Sequence, residues 1–459
     1  MSLPGPRTTE LGLVVLAGSL VSAALALVDL GALGQISSEP PLLGGGYQLL
    51  FLLAHLVVRR NAPAADPLLL PIAMLLNGLG IVMIHRLDIA AAAAAALAGD
   101  PTPSADAPRQ LLWTVIGVAL FAALCRWVRD HRVLARYAYT LGLAGIGLLA
   151  LPGLLPASVS EVNGAKLWIR IGPLSLQPGE FAKILIIVFA AAFLVAKREL
   201  FTTAGRRLGP FTLPRVRDLA PLLVAWGFAV LVLTVERELG ASLLVFGVVL
   251  VMVYIATARV SWVLWGAAFF AGASVVSYTL FAHVRTRFQV WLDPTAYYHE
   301  SGYQVSQSLF GLGTGGTFGT GLGQGRPDLV PLANADFIAA GIGEELGLVG
   351  LSAVLMLYLL LTARGLVTAM RLRDGFGTLL AAGLSATLAI QVFIVVGGAT
   401  NLIPETGLTT PFLSYGGSSL LANHALLALL VVLSHRARSP QVRHRRPAGS
   451  VATDSTQLL

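Results

Sequence analysis

HVRTRFQVWLDPTAYYHESGYQVSQSLFGLGTGGTFGTGLGQGRPDLVPLANADFIAAGIGEE, residues 283–345, is the longest interval of this chain without an apolar run of membrane length. It holds Arg285, Arg287, Asp293, Glu300, Asp336, Glu344 and Glu345, two turns rich in tryptophan and tyrosine, and a dense glycine series. Everything on either side reads as apolar helix and short connection. Of 459 residues, 56% are hydrophobic and only 12% charged. Soluble domains carry about 25% charged residues, so the composition is that of an all-α polytopic membrane protein. The single cysteine, Cys125, excludes a disulfide framework or a multi-cysteine metal site and reads as a helix-packing residue beside Arg126.

Crossing a bilayer takes ~20 apolar residues. Twelve runs qualify, at 11–31, 42–58, 67–84, 111–125, 137–155, 181–196, 219–235, 241–257, 262–282, 347–363, 376–398 and 417–434. The first is too long for a cleavable signal and is followed by many others. A cytoplasmic N-terminus puts 22 of the 31 Lys and Arg residues on the cytoplasmic side and 16 of the 23 acids outside. The opposite orientation inverts both biases, so both termini are expected in the cytoplasm. Residues 1–10 are then a cytoplasmic N-terminus and 11–435 a single transmembrane domain. Its large extracytoplasmic loop, 283–335, joins helices 9 and 10, and 436–459 form a basic, disordered cytoplasmic tail suited to anionic headgroups. The alanine run after Arg86 reads as a short interfacial helix and linker.

Three further outward stretches are too polar for simple connections. In NGAKLWIRIGPLSLQPGEFAK (163–183), Gln177-Pro178-Gly179-Glu180 reads as a helix start, with proline in the first turn and Glu180 near the positive helix end. Lys166, Arg170 and Lys183 are cations where cations are scarce; they read either as an amphipathic anchor or as a patch facing a lipid pyrophosphate. Glu236, Arg237 and Glu238 stand at the outer mouth, where charges pair or serve a site. In 401–425, two prolines and Gly407, Gly416 and Gly417 forbid a regular helix, and such backbone survives only buried in protein or lining a wet cavity. His424 beyond it reads as a packed polar residue.

Within the central stretch, Arg285 and Arg287 form an i, i+2 pair able to clamp an anion. The glycine series supplies close-approach backbone but contains no P-loop pattern. Acids, cations and an aromatic rim suit glycosyl transfer, which needs a base for an incoming hydroxyl and cations for a departing phosphate.

GAKLWIRIGPLSLQPGEFAK, ERELGASLLVFG, SGYQVSQSLFGLGTGGTFGTGLGQG, ADFIAAGIGEELGLVG and IPETGLTTPFLSYGGSS together resemble the SEDS family (shape, elongation, division and sporulation), the RodA/FtsW peptidoglycan polymerases. The resemblance covers about Asn163 to His435. Twelve helices, with RRNAPAADPLLLPIAMLLNGLGIVMIHRLD near the start, look like the branch of high-GC Gram-positive bacteria, closer to RodA than to FtsW. It implies polymerisation of lipid II into glycan strands on the outer membrane face, with inversion. It also implies a class B penicillin-binding protein as transpeptidase partner, a divalent cation (Mg or Mn) as the one conceivable cofactor, and no nucleic acid. The matching positions that imply substrate contact are Lys166, Arg170, Gln177, Glu180, Lys183, Arg285, Arg287, Gln304, Glu345, Thr406 and Ser414.

The departures bear on chemistry. The family carries an aspartate four residues before the serine of SGYQ; here Tyr297 stands there, and a phenol of pKa near 10 is a poor base. Asp293, then Glu300, are the expected substitutes. Thr406 occupies a position where relatives have lysine. Two other classes stay open: a flippase for the same lipid, which broken helices and charges would suit, and a non-catalytic scaffold, which Tyr297 would suit.

Overall fold

A computed structural model describes residues 5–162, 165–171, 174–198, 205–208, 211–214, 227 and 239–439. The helices are α1 (Pro6–Leu33), α2 (Glu39–Asn61), α3 (Leu69–Ala98), α4 (Ala107–Trp127), α5 (Arg132–Arg136), α6 (Ala138–Leu154), α7 (Ala157–Ser160) and α8 (Gly179–Ala196). After the gap come α9 (Leu239–Thr257), α10 (Val260–Leu280), α11 (Ala282–Leu292), α12 (Tyr303–Gly315), α13 (Ile338–Arg371), α14 (Gly375–Ala399) and α15 (Gly417–Arg438). Ten described helices are long and apolar enough to cross a membrane, and α6 is a shorter apolar helix. Apart from residue 227, the expected run at 219–235, with Glu236, Arg237 and Glu238, lies outside the described residues, as does the tail from 440 onward.

The protein is a helical, multi-pass membrane protein, with three additions to the all-α expectation. Short antiparallel hairpins pair β1 (Glu161–Val162) with β2 (Ala165–Lys166), β3 (Ile169–Ile171) with β4 (Leu174–Leu176), and β5 (Gly205–Leu208) with β6 (Phe211–Pro214). The first two lie in the polar stretch before α8, whose helix does begin at Gly179 just after Pro178.

Helix lengths correct the sequence reading in two places. The alanine run is no separate interfacial helix: alanine has the best helix propensity, so α3 continues to Ala98 and stops where Gly99 turns left-handed at φ 74°. The span expected at 347–363 begins at Ile338, and Gly347 (φ 68°, ψ −171°) breaks α13 at the predicted start.

Burial orders the bundle. Of the most apolar window of each helix, 89% is buried in α15 and 78% in α14, against 0% in α10. Helices apolar all round belong in the middle, and α15 packs on α4 while α14 packs on α13, α9 and α8. Helix α1 packs on α2 and α3, and α6 on α8. His424, on α15, bonds Leu420 O through Nδ1 at 2.9 Å between Phe51 and Phe412, which is the packing role expected of it. Cys125 is likewise buried.

At the end of the bundle where α1 begins, the fully buried carboxylate of Asp66 accepts from Arg364 Nε at 2.7 Å and from Arg438. Its backbone N–H donates to Ser434 Oγ at 2.8 Å, and Ala64 N donates to His435 Nδ1 at 3.1 Å. Arg436 bonds Arg129 O, and Arg436 and Arg438, two of the five arginines in the range assigned to the tail, belong to α15 instead. Breaking a buried pair strands the remaining charges. Asp66→Ala is therefore expected to cost about 3–5 kcal/mol, read as a clear fall in the apparent Tm of the detergent-solubilised protein; an unchanged Tm would show that the network carries no stability.

Candidate active site

At the opposite end, the glycine series after α12 lies directly on helix ends. Gly319 has φ 83°, and a Cβ there would sit 2.2 Å from Glu345 O; at Gly323, φ 80°, it would sit 2.5 Å from Val28 O. Only glycine tolerates both the conformation and the approach. The loop is held by Thr320 N to Glu344 O and Gly321 N to Glu345 O, each at 3.0 Å. Side chains finish the job: Arg326 N donates to Glu344 Oε1 at 2.7 Å and Gly323 N to Glu345 Oε2 at 3.0 Å. Arg86 on α3 donates from Nε to Glu345 Oε1 at 2.8 Å and from Nη2 to Gly325 O at 2.6 Å. Glu345 was expected to touch substrate; it is 0% exposed and wholly engaged in holding this loop.

The rest of the long interval is more helical than a loop. α11 carries Arg285 and Arg287 on different faces, because residues two apart on a helix diverge. Arg285 Nη2 reaches back to Thr279 O and its guanidinium lies over Tyr278, while Arg287 Nη1 donates to Glu405 O at 2.9 Å. The expected clamp does not form. Instead α11 docks on the segment after α14 through a reciprocal pair: Trp291 Nε1 to Asn401 O at 3.2 Å, and Asn401 Nδ2 to Trp291 O at 3.1 Å. Between them opens a cavity of about 330 Å³ whose polar lining includes His283, Thr286, Arg287, Ser301, Asn401 and Glu405.

Two irregular segments are stitched together near the start of α13. Ser414 Oγ donates to Ala335 O at 2.6 Å, and Tyr415 N to Asn334 O at 2.7 Å. Asn334 Nδ2 in turn reaches Asp106 Oδ2 at 3.1 Å. Leu332 and Phe412, non-glycine residues at φ 55° and 66°, hold left-handed backbone on either side of the junction. The next residue after this stitching is Asp336. Its Oδ2 lies 3.9 Å, and Arg287 Nη2 3.8 Å, from the point where a side chain on Gly407 would begin. Burial and the neighbouring Glu405 carboxylate push the Asp336 pKa up to about 7, with Arg287 restraining the rise.

The remaining predicted residues scatter. Asp293, at the C-terminal end of α11, is exposed; its Oδ1 accepts from Thr295 Oγ1 at 2.7 Å and Ala296 N at 3.0 Å, and these bonds hold its pKa below the usual carboxylate range. Glu300 is exposed on the following turn, and Tyr297 is half-buried against the core. Gln304 Nε2 donates to Pro331 O at 2.8 Å. Ser414 is one of the stitching residues above, and Thr406 packs where a Cβ on Gly240 would approach within 2.7 Å. Lys183 is buried in the bundle, donating to Glu180 Oε2 at 2.7 Å and Gln391 Oε1 at 2.9 Å. Arg170 is exposed and donates to Glu161 O at 2.7 Å, while Lys166 is half-buried in the first hairpin. Lys183 inside the bundle is thus set apart from Arg170 and Lys166, which belong to the hairpins before α8. Gln177 N donates to Ser418 Oγ at 2.8 Å. Among the described residues no three His, Cys, Asp or Glu side chains converge on a metal-sized site.

Sequence reasoning passed over Glu405. Its signal was present: a lone acid between Pro404 and Gly407 near membrane depth, where charge is costly.

Residues 67–439 match the family model described as a cell cycle protein, that of FtsW, RodA and SpoVE. The chain belongs to the FtsW/RodA/SpoVE family. The match begins well ahead of Asn163, taking in α3 and α4. The chain is 54% identical over 457 residues to Peptidoglycan glycosyltransferase RodA of Mycobacterium tuberculosis, covering 100% of this chain and 96% of that one. It is 33% identical over 391 residues to Stage V sporulation protein E of Bacillus subtilis, covering 83% and 100%. Among solved structures, a chain of a peptidoglycan synthase complex coordinating polymerization and crosslinking aligns with a TM-score of 0.63 at 29% identity, over 82% of this chain and 99% of that one. Thermus thermophilus RodA aligns at 0.55 and 26%, over 82% and 98%. Relatives of the RodA type in high-GC bacteria are those the sequence resemblance pointed to.

Since Glu345 anchors the family's glycine series here, Arg86→Ala is expected to leave it a buried unpaired charge. Amide exchange at Gly321 and Gly323 should then accelerate by about 10²-fold or more, the equivalent of some 3 kcal/mol. Protection equal to that of the unsubstituted protein would show that the ion pair does not hold the loop.

Proposed function

We propose that this chain is a RodA-type peptidoglycan glycosyltransferase that polymerises lipid II into glycan strands on the outer face of the cytoplasmic membrane. The observation that carries the reading is 54% identity along the whole chain to proteins named for that activity. The chemistry at the loop end agrees with it. A glycosyl transfer from a lipid pyrophosphate needs a cation near the departing phosphate and a carboxylate near the incoming hydroxyl. Arg287 lines a cavity that also holds Glu405, and Asp336 stands beside both.

The bias of Lys and Arg supports cytoplasmic termini, which puts the 283–335 interval and this cavity outside, where the lipid headgroup is presented. Twelve spans follow if 219–235 crosses as its composition suggests. The similarity to a chain from a complex that couples polymerization to crosslinking supports a crosslinking partner, a class B penicillin-binding protein. A divalent cation, if used, arrives with the pyrophosphate, and no step is assigned to it. The pathway served is wall synthesis in elongation, as RodA relatives suggest, or in division.

The test is purified chain in liposomes with lipid II, alone and with a class B transpeptidase, scored for glycan polymer and for lipid translocation. Polymer should form, and Arg287→Ala should reduce it by about 10²-fold, the usual cost of removing one preorganised charge-stabilising group. Translocation without polymer under every pairing would make the chain a flippase; neither activity would leave a scaffold.

A further inference from the structure

We infer that Asp336, which faces Gly407 together with Arg287, is the group that takes the proton from the acceptor hydroxyl during glycosyl transfer. This rests on the polymerase reading above. Tyr297 has its half-buried ring packed against the core, and its carbonyl closes the turn to Glu300 and Gly302. The nearest acid in sequence, Asp293, spends one oxygen on Thr295 and Ala296 as a turn cap, and those bonds weaken it as a base. Glu300 is exposed on the outer surface of the same turn.

Asp336 differs from all three. The Ser414 and Tyr415 bonds to Ala335 and Asn334 fix the backbone immediately before it. Its carboxylate faces Gly407, a residue with φ 74° and no side chain to fill the space. Two charged groups act on it: Arg287 from α11 and Glu405 from the segment after α14. His283 lines the cavity from α11, and Asp106 bonds Asn334 from the α4 side. A carboxylate with pKa about 7 is about half ionised at neutral pH, which leaves it available as a base and strong enough to pull a proton in the transition state. The step balances simply. The acceptor 4-hydroxyl oxygen bonds the donor anomeric carbon as the bond from that carbon to the pyrophosphate oxygen breaks. The electron pair leaves with the lipid pyrophosphate beside Arg287, and the hydroxyl proton passes to Asp336.

The experiment uses the full chain in liposomes with lipid II, measuring initial polymerisation rates across pH. Asp336→Asn should lower kcat by about 10²–10⁴-fold with KM little changed, and Asp336→Glu should recover part of it. In the unsubstituted chain the rate should rise with pH through about 7, because the base must be deprotonated. Glu405→Gln removes a like charge and should shift that limb to lower pH; Arg287→Ala removes the opposing charge and should shift it higher, whatever the residual rate. A merely structural Asp336 would leave both limbs where they were, and that result overturns the inference. So does Asp336→Asn retaining kcat within about twofold, or the large loss appearing in Asp293→Ala or Glu300→Gln instead. Absence of polymer from the unsubstituted chain would overturn the polymerase reading beneath it.

Discussion

From Thr409 to Ser414 the chain crosses the bundle end without a helix, and its carbonyls must be satisfied by side chains because no water reaches them from a bilayer. Gln391 on α14 donates to Thr409 O at 2.8 Å, Tyr358 on α13 to Pro411 O, Asn77 on α3 to Phe412 O at 3.1 Å, and Gln110 on α4 to Ser414 O at 3.1 Å. Four different helices therefore each carry one buried polar side chain for a single irregular segment. A buried carbonyl left alone costs about 1–3 kcal/mol, so the set resists piecemeal loss. The close approach of α3, where a Cβ on Gly80 would sit 2.2 Å from Leu413 O, follows from the same need.

That segment is also what turns distant parts of the chain into one site. The stretch leading into it offers Glu405 O to Arg287 of α11; its C-terminal end, with Tyr415, grips Asn334 and Ala335. The second anchor is the Arg86–Glu345 pair, which ties the glycine series to α3 and the start of α13. Burying two charges is costly unless their other hydrogen-bonding positions are filled. Here Gly323 N and Gly325 O fill two of them, which explains why the loop backbone must come so close. Between these anchors the chain from 326 to 337 has little freedom, and Asp336 is held at a fixed place without any bond to its own carboxylate having to do the holding.

Helices were legible in the sequence because apolar length is a strong signal, and the polar interruptions were legible because charge near a membrane is conspicuous. Partners were not. Arg285 and Arg287 look like a clamp when written two apart, and only the helical geometry of α11 separates them. Glu345 looks like a substrate contact because the residue that neutralises it, Arg86, lies 259 positions away. The alanine run looked like a linker segment because it follows Arg86 and Asp88; helix propensity, unopposed there, carried α3 to Ala98. Glu405 went unnoticed because a single acid has no pattern.

Asp336 and Glu345 of ADFIAAGIGEE show how environment divides one motif into two roles. Glu345 meets Arg86 at hydrogen-bond distance with both oxygens occupied, so protonating it would break contacts on which the loop depends. Asp336 feels its arginine across an open glycine rather than through a bond, and the opposing Glu405 partly cancels that attraction. The like and unlike neighbours offset one another, and desolvation decides the balance. A carboxylate so placed can exchange a proton near neutral pH without breaking a bond that holds the loop. What distinguishes the two acids is the distance to arginine and the absence of a side chain at Gly407.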